Sequence, residues 1–366
     1  MASLPRPTRT MTKGESPVFF RVFLALALVT TLMSAANAEV SSFGLPHRKV
    51  FAIAVQADDR IWIGTENGLA LFDGNKFTHF FKEDGLPHND VTSIALSRDN
   101  KQVWFGTFGG IAKLQEGRSR KRFKSYTTEN SGLVNNVVYG IACQGDRGED
   151  IWIATTDGAS HFDTKRGKWK TYNESNAPFH ERWCYDVKVD DEDVVWLGVW
   201  GSGVMRFKKQ WKDFIDPDHL FDIDVKRNDG NLHEIVTGVA IAEGVCWAGA
   251  YFGLSRYDGK RWWNWTVKDD DCGLPSDFIN TVAARGQTVW LGTDKGLCSF
   301  NWETKKWTTY RRKENGRGEV KIFQNGKWST HETAEAIPDN FVWSIAFQGD
   351  KVWVGTSAGI GVGRFE

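Results

Sequence analysis

A short phrase built around one tryptophan recurs seven times along the chain. Its pattern is usually a β-branched residue, Trp, an apolar residue and Gly-Thr, followed after two or three residues by Gly and another apolar residue, as in IWIGTENGLALFD at 61–73. The seven tryptophans, 42 to 63 residues apart, are Trp62, Trp104, Trp152, Trp196, Trp247, Trp290 and Trp353. A period of about 40–50 residues is typical of rings built from small four-stranded sheets.

Each repeat contains four candidate strands. The first is apolar, as in DVTSIAL at 90–96, the second carries the tryptophan, the third follows a Gly-containing turn, and the fourth carries two aromatic residues, such as Phe77 and Phe80. Short runs rich in aromatic and β-branched residues between such turns indicate strands. We therefore predict an all-β fold, a seven-bladed β-propeller with four-stranded antiparallel blades, in which the recurrent tryptophans fill the space between neighbouring blades.

The ends of the repeat region predict how the ring closes. The last repeat has three candidate strands between 341 and 365, while residues 39–43, followed by Gly-Leu-Pro, resemble the fourth strand of other repeats. We expect this N-terminal segment to supply the outer strand of the last blade, which leaves no unmatched sheet edge. The long interval before Trp353 predicts an extra hairpin at about 311–336.

The first 38 residues have the character of a secretory signal. Four basic residues precede the mainly apolar stretch Val22–Met33, and an A-x-A cleavage site ends at Ala38. The apolar stretch is shorter than the roughly 20 residues that a membrane-spanning helix needs. We therefore expect 1–38 to be removed and 39–366 to form one propeller, periplasmic or secreted, with no membrane span in the mature chain.

Charge and cysteine content narrow the function classes. Lys+Arg and Asp+Glu number 46 each, so the basic surplus expected of a nucleic-acid-binding protein is absent. The five cysteines form no C-x-x-C pair, which argues against a zinc ribbon or haem attachment. If one pair is bridged, we favour Cys272–Cys298.

Motifs for nucleophilic, metal or nucleotide chemistry are not found, so we predict no cofactor, no metal site and no enzymatic activity. The acidic run 269–271 lacks the alternating spacing of a calcium loop, and we interpret it as solvated.

Alignment of the first strands predicts where a ligand would bind, because the loops before them and the turns after the tryptophan strands share one face of a propeller. Seven polar residues fall at one level of this channel mouth: Arg48, Asn89, Asn136, Arg182, Glu234, Asp277 and Asn340. The turns add the aromatic residues Phe108, Trp200, Tyr251 and Phe252.

Aromatic rings beside polar groups suit sugar faces and protein hot spots. The predicted ligand-binding residues are Trp200, Tyr251, Arg182, Glu234, Phe108, Arg48, Asp277 and Asn340. The alternative is that the polar ring is solvated and the aromatic residues fill gaps between loops.

The phrase WIGT-x-x-GL-x-x-FD, followed by DGLP-x-x-DVTSI, resembles the two-component regulator propeller repeat, most closely at 61–95 and 273–300. The resemblance extends over nearly all of 39–366 and implies a periplasmic propeller of a sensing type, often one that responds to glycans. The partner it implies is a small-molecule or oligosaccharide ligand, or a periplasmic or membrane-bound sensor protein. An alternative is a propeller enzyme similar to the streptogramin lyases, with the candidate residues His180, Glu181, His233 and Glu234.

The signal prediction is tested by expressing the full chain in a bacterium that exports proteins. We expect an exported protein whose intact mass corresponds to Glu39 as its first residue. Replacing Ala36 and Ala38 by larger residues should leave the precursor uncut, because the cleavage site requires small side chains. An uncleaved, membrane-associated wild-type protein would contradict the prediction.

Overall fold

The computed structural model describes residues 44–115, 122–215 and 228–364, and the chain in these ranges is almost entirely β-structure. Twenty-nine strands form seven antiparallel sheets, in which strands consecutive in sequence are hydrogen-bonded neighbours. A short 3-10 turn at Lys82–Asp84 is the one helical element of these ranges. The all-β prediction is confirmed.

The sheets are called blades 1 to 7 in chain order, and their strands run from the inner strand outwards. Blades 1 to 4 contain β1 (Val50–Val55), β2 (Ile61–Thr65), β3 (Gly68–Phe72) and β4 (Phe77–Phe80); β5 (Val91–Leu96), β6 (Val103–Thr107), β7 (Gly110–Leu114) and β8 (Phe123–Tyr126); β9 (Val138–Gln144), β10 (Asp150–Thr155), β11 (Gly158–Asp163) and β12 (Lys168–Tyr172); β13 (Cys184–Val189), β14 (Val195–Val199), β15 (Gly203–Phe207) and β16 (Trp211–Asp213). Blades 5 to 7 contain β17 (Val236–Ala242), β18 (Val245–Ala250), β19 (Gly253–Tyr257) and β20 (Trp262–Trp265); β21 (Ile279–Arg285), β22 (Thr288–Thr293), β23 (Gly296–Asn301), β24 (Lys306–Arg312), β25 (Gly318–Gln324) and β26 (Lys327–Thr333); β27 (Val342–Gln348), β28 (Lys351–Thr356) and β29 (Gly359–Arg364).

The inner strands join the sheets into a closed ring. Each of β1, β5, β9, β13, β17, β21 and β27 contacts the next, and β27 contacts β1. At this last junction the Ser344 hydroxyl donates to the carbonyl of Val50 (3.5 Å), and Gln348 Nε2 donates to Asp59 Oδ1 (2.8 Å). The seven-bladed propeller predicted from the repeats is therefore the observed architecture.

The glycine two residues after most of the blade tryptophans permits this close approach. A Cβ placed on Gly64 would lie 2.5 Å from the carbonyl oxygen of Val91 in the next blade, and one on Gly355 would lie 2.6 Å from Cγ1 of Val50. Real Cβ atoms do not come this close to their neighbours. The glycine is required because two backbones meet there.

The seven blade tryptophans are buried between the sheets, with exposed fractions of 0 to 7%. Trp62 packs edge-on against Phe105 of blade 2, with ring centroids 5.1 Å apart, and its indole N–H donates to Gln56 Oε1 (2.7 Å). Both the apolar ring and its single polar group are thus accommodated inside the fold. The structural interpretation of these residues is confirmed.

Blades 6 and 7 depart from four strands. In blade 6, β25 and β26 extend the sheet to six strands, in the region where the sequence predicts an extra hairpin. In blade 7, the described residues form three strands. The closing strand expected at 39–43 lies outside the described residues.

All five cysteines are free thiols, so the Cys272–Cys298 bridge favoured from the sequence is wrong. Both residues belong to the same apolar cluster between blades 5 and 6. Burial raises the pKa of the Cys298 thiol to about 12. The protonated thiol donates to the carbonyl of Gly273 (3.6 Å), so it serves as a small core side chain.

Replacing one blade tryptophan should destabilise the whole ring. Trp290 is 2% exposed, and its ring stacks on Tyr310 with centroids 5.8 Å apart. We expect Trp290→Ala to lower the free energy of unfolding by about 3–5 kcal/mol, as for other large buried rings. Trp328→Ala is the matched control, because Trp328 is 52% exposed. Equal losses in the two variants, measured by chemical denaturation, would contradict the assignment.

Deleting residues 39–43 tests ring closure. If this segment pairs with β29, the shortened protein loses a strand and its melting temperature should fall by several degrees, since ~1–2 kcal/mol shifts a domain by a few degrees or more. The mature chain beginning at Glu39 is the reference. Identical melting curves would show that the segment is not the outer strand of blade 7.

Candidate binding site in the central channel

Every inner strand carries a β-bulge at its second residue. The pairing with the tryptophan strand shifts register between the first and third residues of all seven inner strands. A bulged residue leaves the ladder, and its side chain can point in a new direction. The seven bulged residues all line the central cavity; they are Phe51, Thr92, Tyr139, Tyr185, Thr237, Asn280 and Trp343.

The three polar bulge residues connect neighbouring blades. Each donates a side-chain hydrogen bond to the carbonyl of the first residue of the next inner strand: Thr92 to Val138 (2.6 Å), Thr237 to Ile279 (2.5 Å) and Asn280 to Val342 (3.1 Å). Each inner strand is the edge of its sheet, so the backbone N–H and C=O groups on its channel side have no partner strand. These bonds satisfy some of those groups inside the channel.

The aromatic bulge residues belong to a larger set of rings around the channel mouth, which we call the aromatic collar. Each ring centroid of the collar lies 4.3 to 6.4 Å from another. The collar consists of Phe51, Phe108, Tyr139, Trp183, Tyr185, Trp200, Tyr251, Phe278, Phe341 and Trp343.

The collar surrounds the upper part of a cavity of about 660 Å³ that all seven inner strands line. Five aliphatic residues, each two positions after a bulged residue, also line the cavity: Ile53, Ile94, Ile141, Val282 and Ile345. A concave site of this size, mostly apolar with a few polar groups, is typical of small-ligand binding.

Two tyrosine hydroxyls meet on one side of the collar. Tyr185 Oη and Tyr251 Oη are 3.2 Å apart. Burial, followed by this hydrogen bond, raises the pKa of Tyr185 above its usual value. The phenol therefore stays neutral and can donate as well as accept a hydrogen bond.

The turns that carry Trp200 and Tyr251 are built differently from the others. In five blades a threonine at the end of the tryptophan strand closes the turn; the Thr107 hydroxyl, for example, donates to the glycine carbonyl three residues further on (2.8 Å). Blades 4 and 5 have Val199 and Ala250 at this position. These two turns lack the threonine bond but keep the backbone bond to the preceding loop that most blades share, in which the Trp200 N–H donates to the carbonyl of Trp183 (2.8 Å).

Four charged side chains line the cavity in two pairs. Near the mouth, Lys49 Nζ lies 3.2 Å from Glu66 Oε1 and 4.9 Å from the centroid of the Phe51 ring. On the blade 4 wall, Lys188 Nζ lies 2.5 Å from Asp186 Oδ1. Charge in the cavity is thus confined to blades 1 and 4.

Of the predicted site residues, Phe108, Trp200 and Tyr251 belong to the collar, and Phe108 and Tyr251 line the cavity directly. The Trp200 ring stacks on Trp183, with centroids 6.0 Å apart, and meets Tyr251 edge-on at 6.0 Å. These three residues are brought to one site.

The five predicted polar residues lie outside the cavity lining. The Arg182 guanidinium is engaged by Glu174 and by Asp157 Oδ1 (3.1 Å). Glu234 is buried, burial raises the pKa of its carboxyl above the usual value, and its backbone carbonyl accepts the N–H of Gly203 (2.9 Å). Arg48 is exposed.

Asp277 and Asn340 close the loops that lead into blades 6 and 7. Asp277 Oδ1 accepts the N–H of Val267 (2.7 Å), and Asn340 Oδ1 accepts the N–H of Arg312 (2.7 Å). Asn89 and Asn136 make the same bond to Lys82 and Thr128 (3.0 and 2.8 Å). Four of the seven residues at the aligned polar level are therefore loop caps, and the bulge residues three positions further along face the channel.

The residues proposed for a lyase-like reaction, His180, Glu181, His233 and Glu234, lie outside the lining of the central cavity. His233 is buried, its Nδ1 accepts the N–H of Ile235 (3.1 Å), and its ring lies 4.2 Å from that of Phe252. His180 is exposed, and its backbone N–H donates to Ser202 Oγ (2.8 Å).

Across the described ranges, no cluster of three or more His, Cys, Asp or Glu side chains is arranged to hold a metal ion. The same residues contain no helix long and apolar enough to cross a membrane.

Seven sheets arranged radially around a central channel define the chain as a seven-bladed β-propeller, and the aromatic collar surrounds the mouth of that channel. Residues 44–67 and 85–109 match the family model described as two component regulator propeller, so the chain carries propeller repeats of the two-component regulator type.

Among characterised proteins, a histidine kinase (P4) of Formosa agariphila is 25% identical over 169 residues, which cover 43% of this chain and 12% of the kinase. The extracellular domain of a putative hybrid two component system from B. thetaiotaomicron has a TM-score of 0.64 at 17% identity, over 87% of this chain and 40% of that domain. Virginiamycin B lyase from Staphylococcus aureus has a TM-score of 0.61 at 14% identity, over 87% and 96% of the two chains. At these identities, the structural similarities concern the fold alone. The chain spans less than half of the kinase and sensor proteins it resembles.

Proposed function

We propose that the protein is an exported, non-enzymatic propeller that binds an oligosaccharide in the mouth of its central channel. The observation that carries the proposal is the aromatic collar around a cavity of about 660 Å³. Aromatic faces pack against the apolar faces of sugar rings, while neighbouring hydroxyl groups hydrogen-bond to sugar hydroxyls. The Tyr185–Tyr251 hydroxyl pair supplies such groups at the collar.

The cavity favours a ligand over a protein partner. Protein docking sites are broad surfaces of about 800 Å² on each partner, whereas the collar rings converge on a concave site enclosed by seven strands. A separate sensor protein can recognise the propeller once its ligand is bound. Such a role agrees with the similar repeats found in sensor proteins.

Binding is favoured over catalysis by the setting of His233 and of the collar tyrosines. The His233 nitrogen that could act as a base already accepts a backbone N–H. Burial keeps the collar phenols protonated by raising the pKa of Tyr139 and Tyr185. These groups can orient a ligand, and none is prepared to take a proton from it.

Removing collar rings should weaken ligand binding and leave the fold intact. We expect Trp200→Ala and Tyr251→Ala each to weaken binding of an oligosaccharide by about 1–3 kcal/mol, the range for aromatic anchors. The measurement is calorimetric titration with defined oligosaccharides, with thermal unfolding as the folding control.

Phe252→Ala is the matched control for these variants. Phe252 adjoins Tyr251 in sequence and is 40% exposed, but it packs on His233 outside the collar. Its substitution should leave affinity unchanged. If Trp200→Ala and Tyr251→Ala bind as tightly as the wild type, the site lies elsewhere on the ring.

A further inference from the structure

Blade 4 departs from the other blades at two positions of its inner strand. The third residue is small or uncharged in six blades and Asp186 in blade 4; the set is Ala52, Ser93, Gly140, Asp186, Gly238, Thr281 and Ser344. The fifth residue is alanine in six blades and Lys188 in blade 4; the set is Ala54, Ala95, Ala142, Lys188, Ala240, Ala283 and Ala346. The repeat architecture itself therefore requires neither charge.

The carboxylate of Asp186 already has hydrogen-bond donors within the protein. Asp186 Oδ1 accepts the N–H of Val187 (2.8 Å) and the ammonium of Lys188 (2.5 Å). Asp186 Oδ2 accepts the N–H of Val239 on the inner strand of blade 5 (3.1 Å). Its side chain is 16% exposed.

The ammonium of the pair has donors to spare. A lysine ammonium has three N–H donors, and the one bond found for Lys188 is to Asp186. The Lys188 side chain is 45% exposed and lines the cavity. Lys188 can therefore accept a negatively charged ligand group while it keeps its contact with Asp186.

The second acidic residue of the cavity is also occupied. Glu66 Oε1 accepts the ammonium of Lys49 (3.2 Å). Both carboxylates of the lining thus face cations of the protein, and the unused charged donors belong to lysines. The electrostatic complement of this site is an anion.

We propose that the ligand is an oligosaccharide bearing an anionic substituent, a carboxylate or a sulfate, which binds the Lys188 ammonium while its sugar rings pack on the collar. Asp186 joins blades 4 and 5 through Val239, and its negative charge partly offsets that of the ammonium. The inference rests on the proposed binding function and adds the charge of the ligand to it.

The test uses two pairs of probes that differ in charge. The carboxylate pair is tetragalacturonate and its methyl ester, and the sulfate pair is a κ-carrageenan tetrasaccharide and its desulfated form. We expect at least one charged member to bind the mature protein at least about tenfold more tightly than its neutral counterpart, because only the charged group forms a charge-assisted hydrogen bond with the ammonium. The pair that shows the difference identifies the substituent.

Variants separate charge recognition from structure. Lys188→Ala installs the residue of the other six blades, so it should fold, and it should reduce the charged-to-neutral preference to within about twofold. Asp186→Asn removes the neighbouring negative charge and should strengthen binding of the charged probe. Lys168→Ala, an exposed lysine on β12, should change nothing. Thermal unfolding confirms that each variant is folded.

The outcomes distinguish this inference from the proposed function. Equal binding of charged and neutral probes that still depends on Trp200 overturns the anionic ligand and leaves the binding site in place. Equal weakening by Lys188→Ala and Asp186→Asn also overturns it, since the pair would then have a structural role only. If no probe binds the folded wild-type protein, both proposals fail.

Discussion

The fold depends on how closely neighbouring inner strands approach one another. A glycine on the tryptophan strand lets the next blade's first residue come within van der Waals contact of the backbone, as at Gly64 with Val91 and at Gly355 with Val50. Because the blades meet so tightly near the axis, they diverge towards the outside. The blade tryptophans fill the widening gap, and the last blade meets the first by the same contact.

The sequence predicted the number of blades, the order of their strands and the structural role of the tryptophans. It could do so because the same pattern of strands, turns and tryptophan recurs in every repeat. The channel lining could not be predicted in this way. A polar residue such as Asn340 can either face a channel or cap a loop, and the sequence does not say which; here it bonds to the backbone of Arg312 through both ends of its amide. The sequence also did not reveal the β-bulge in each inner strand. In blade 4 this bulge directs Tyr185 towards the channel axis, whereas Arg182 lies outside the cavity lining.

One signal for the channel was nevertheless present in the repeats. Where most inner strands place small residues and alanine, blade 4 places Asp186 and Lys188, and the same blade and the next replace the turn-closing threonine by Val199 and Ala250. The residues that the fold requires recur in each of the seven repeats. A residue that departs from the other blades at an equivalent position is therefore not required by the fold. The departures cluster in blades 4 and 5, where collar rings and charge also meet.

The bulge in each inner strand has a consequence for how such rings diversify. A side chain that has left the ladder takes no part in strand pairing, so its replacement leaves the hydrogen bonds between the strands of a blade unchanged. Seven positions of this kind are arranged around one axis, each encoded by a single codon. Mutation can therefore alter what the channel recognises one position at a time. Propellers of the same shape can evolve to bind chemically unrelated compounds, and each protein along the evolutionary path still folds.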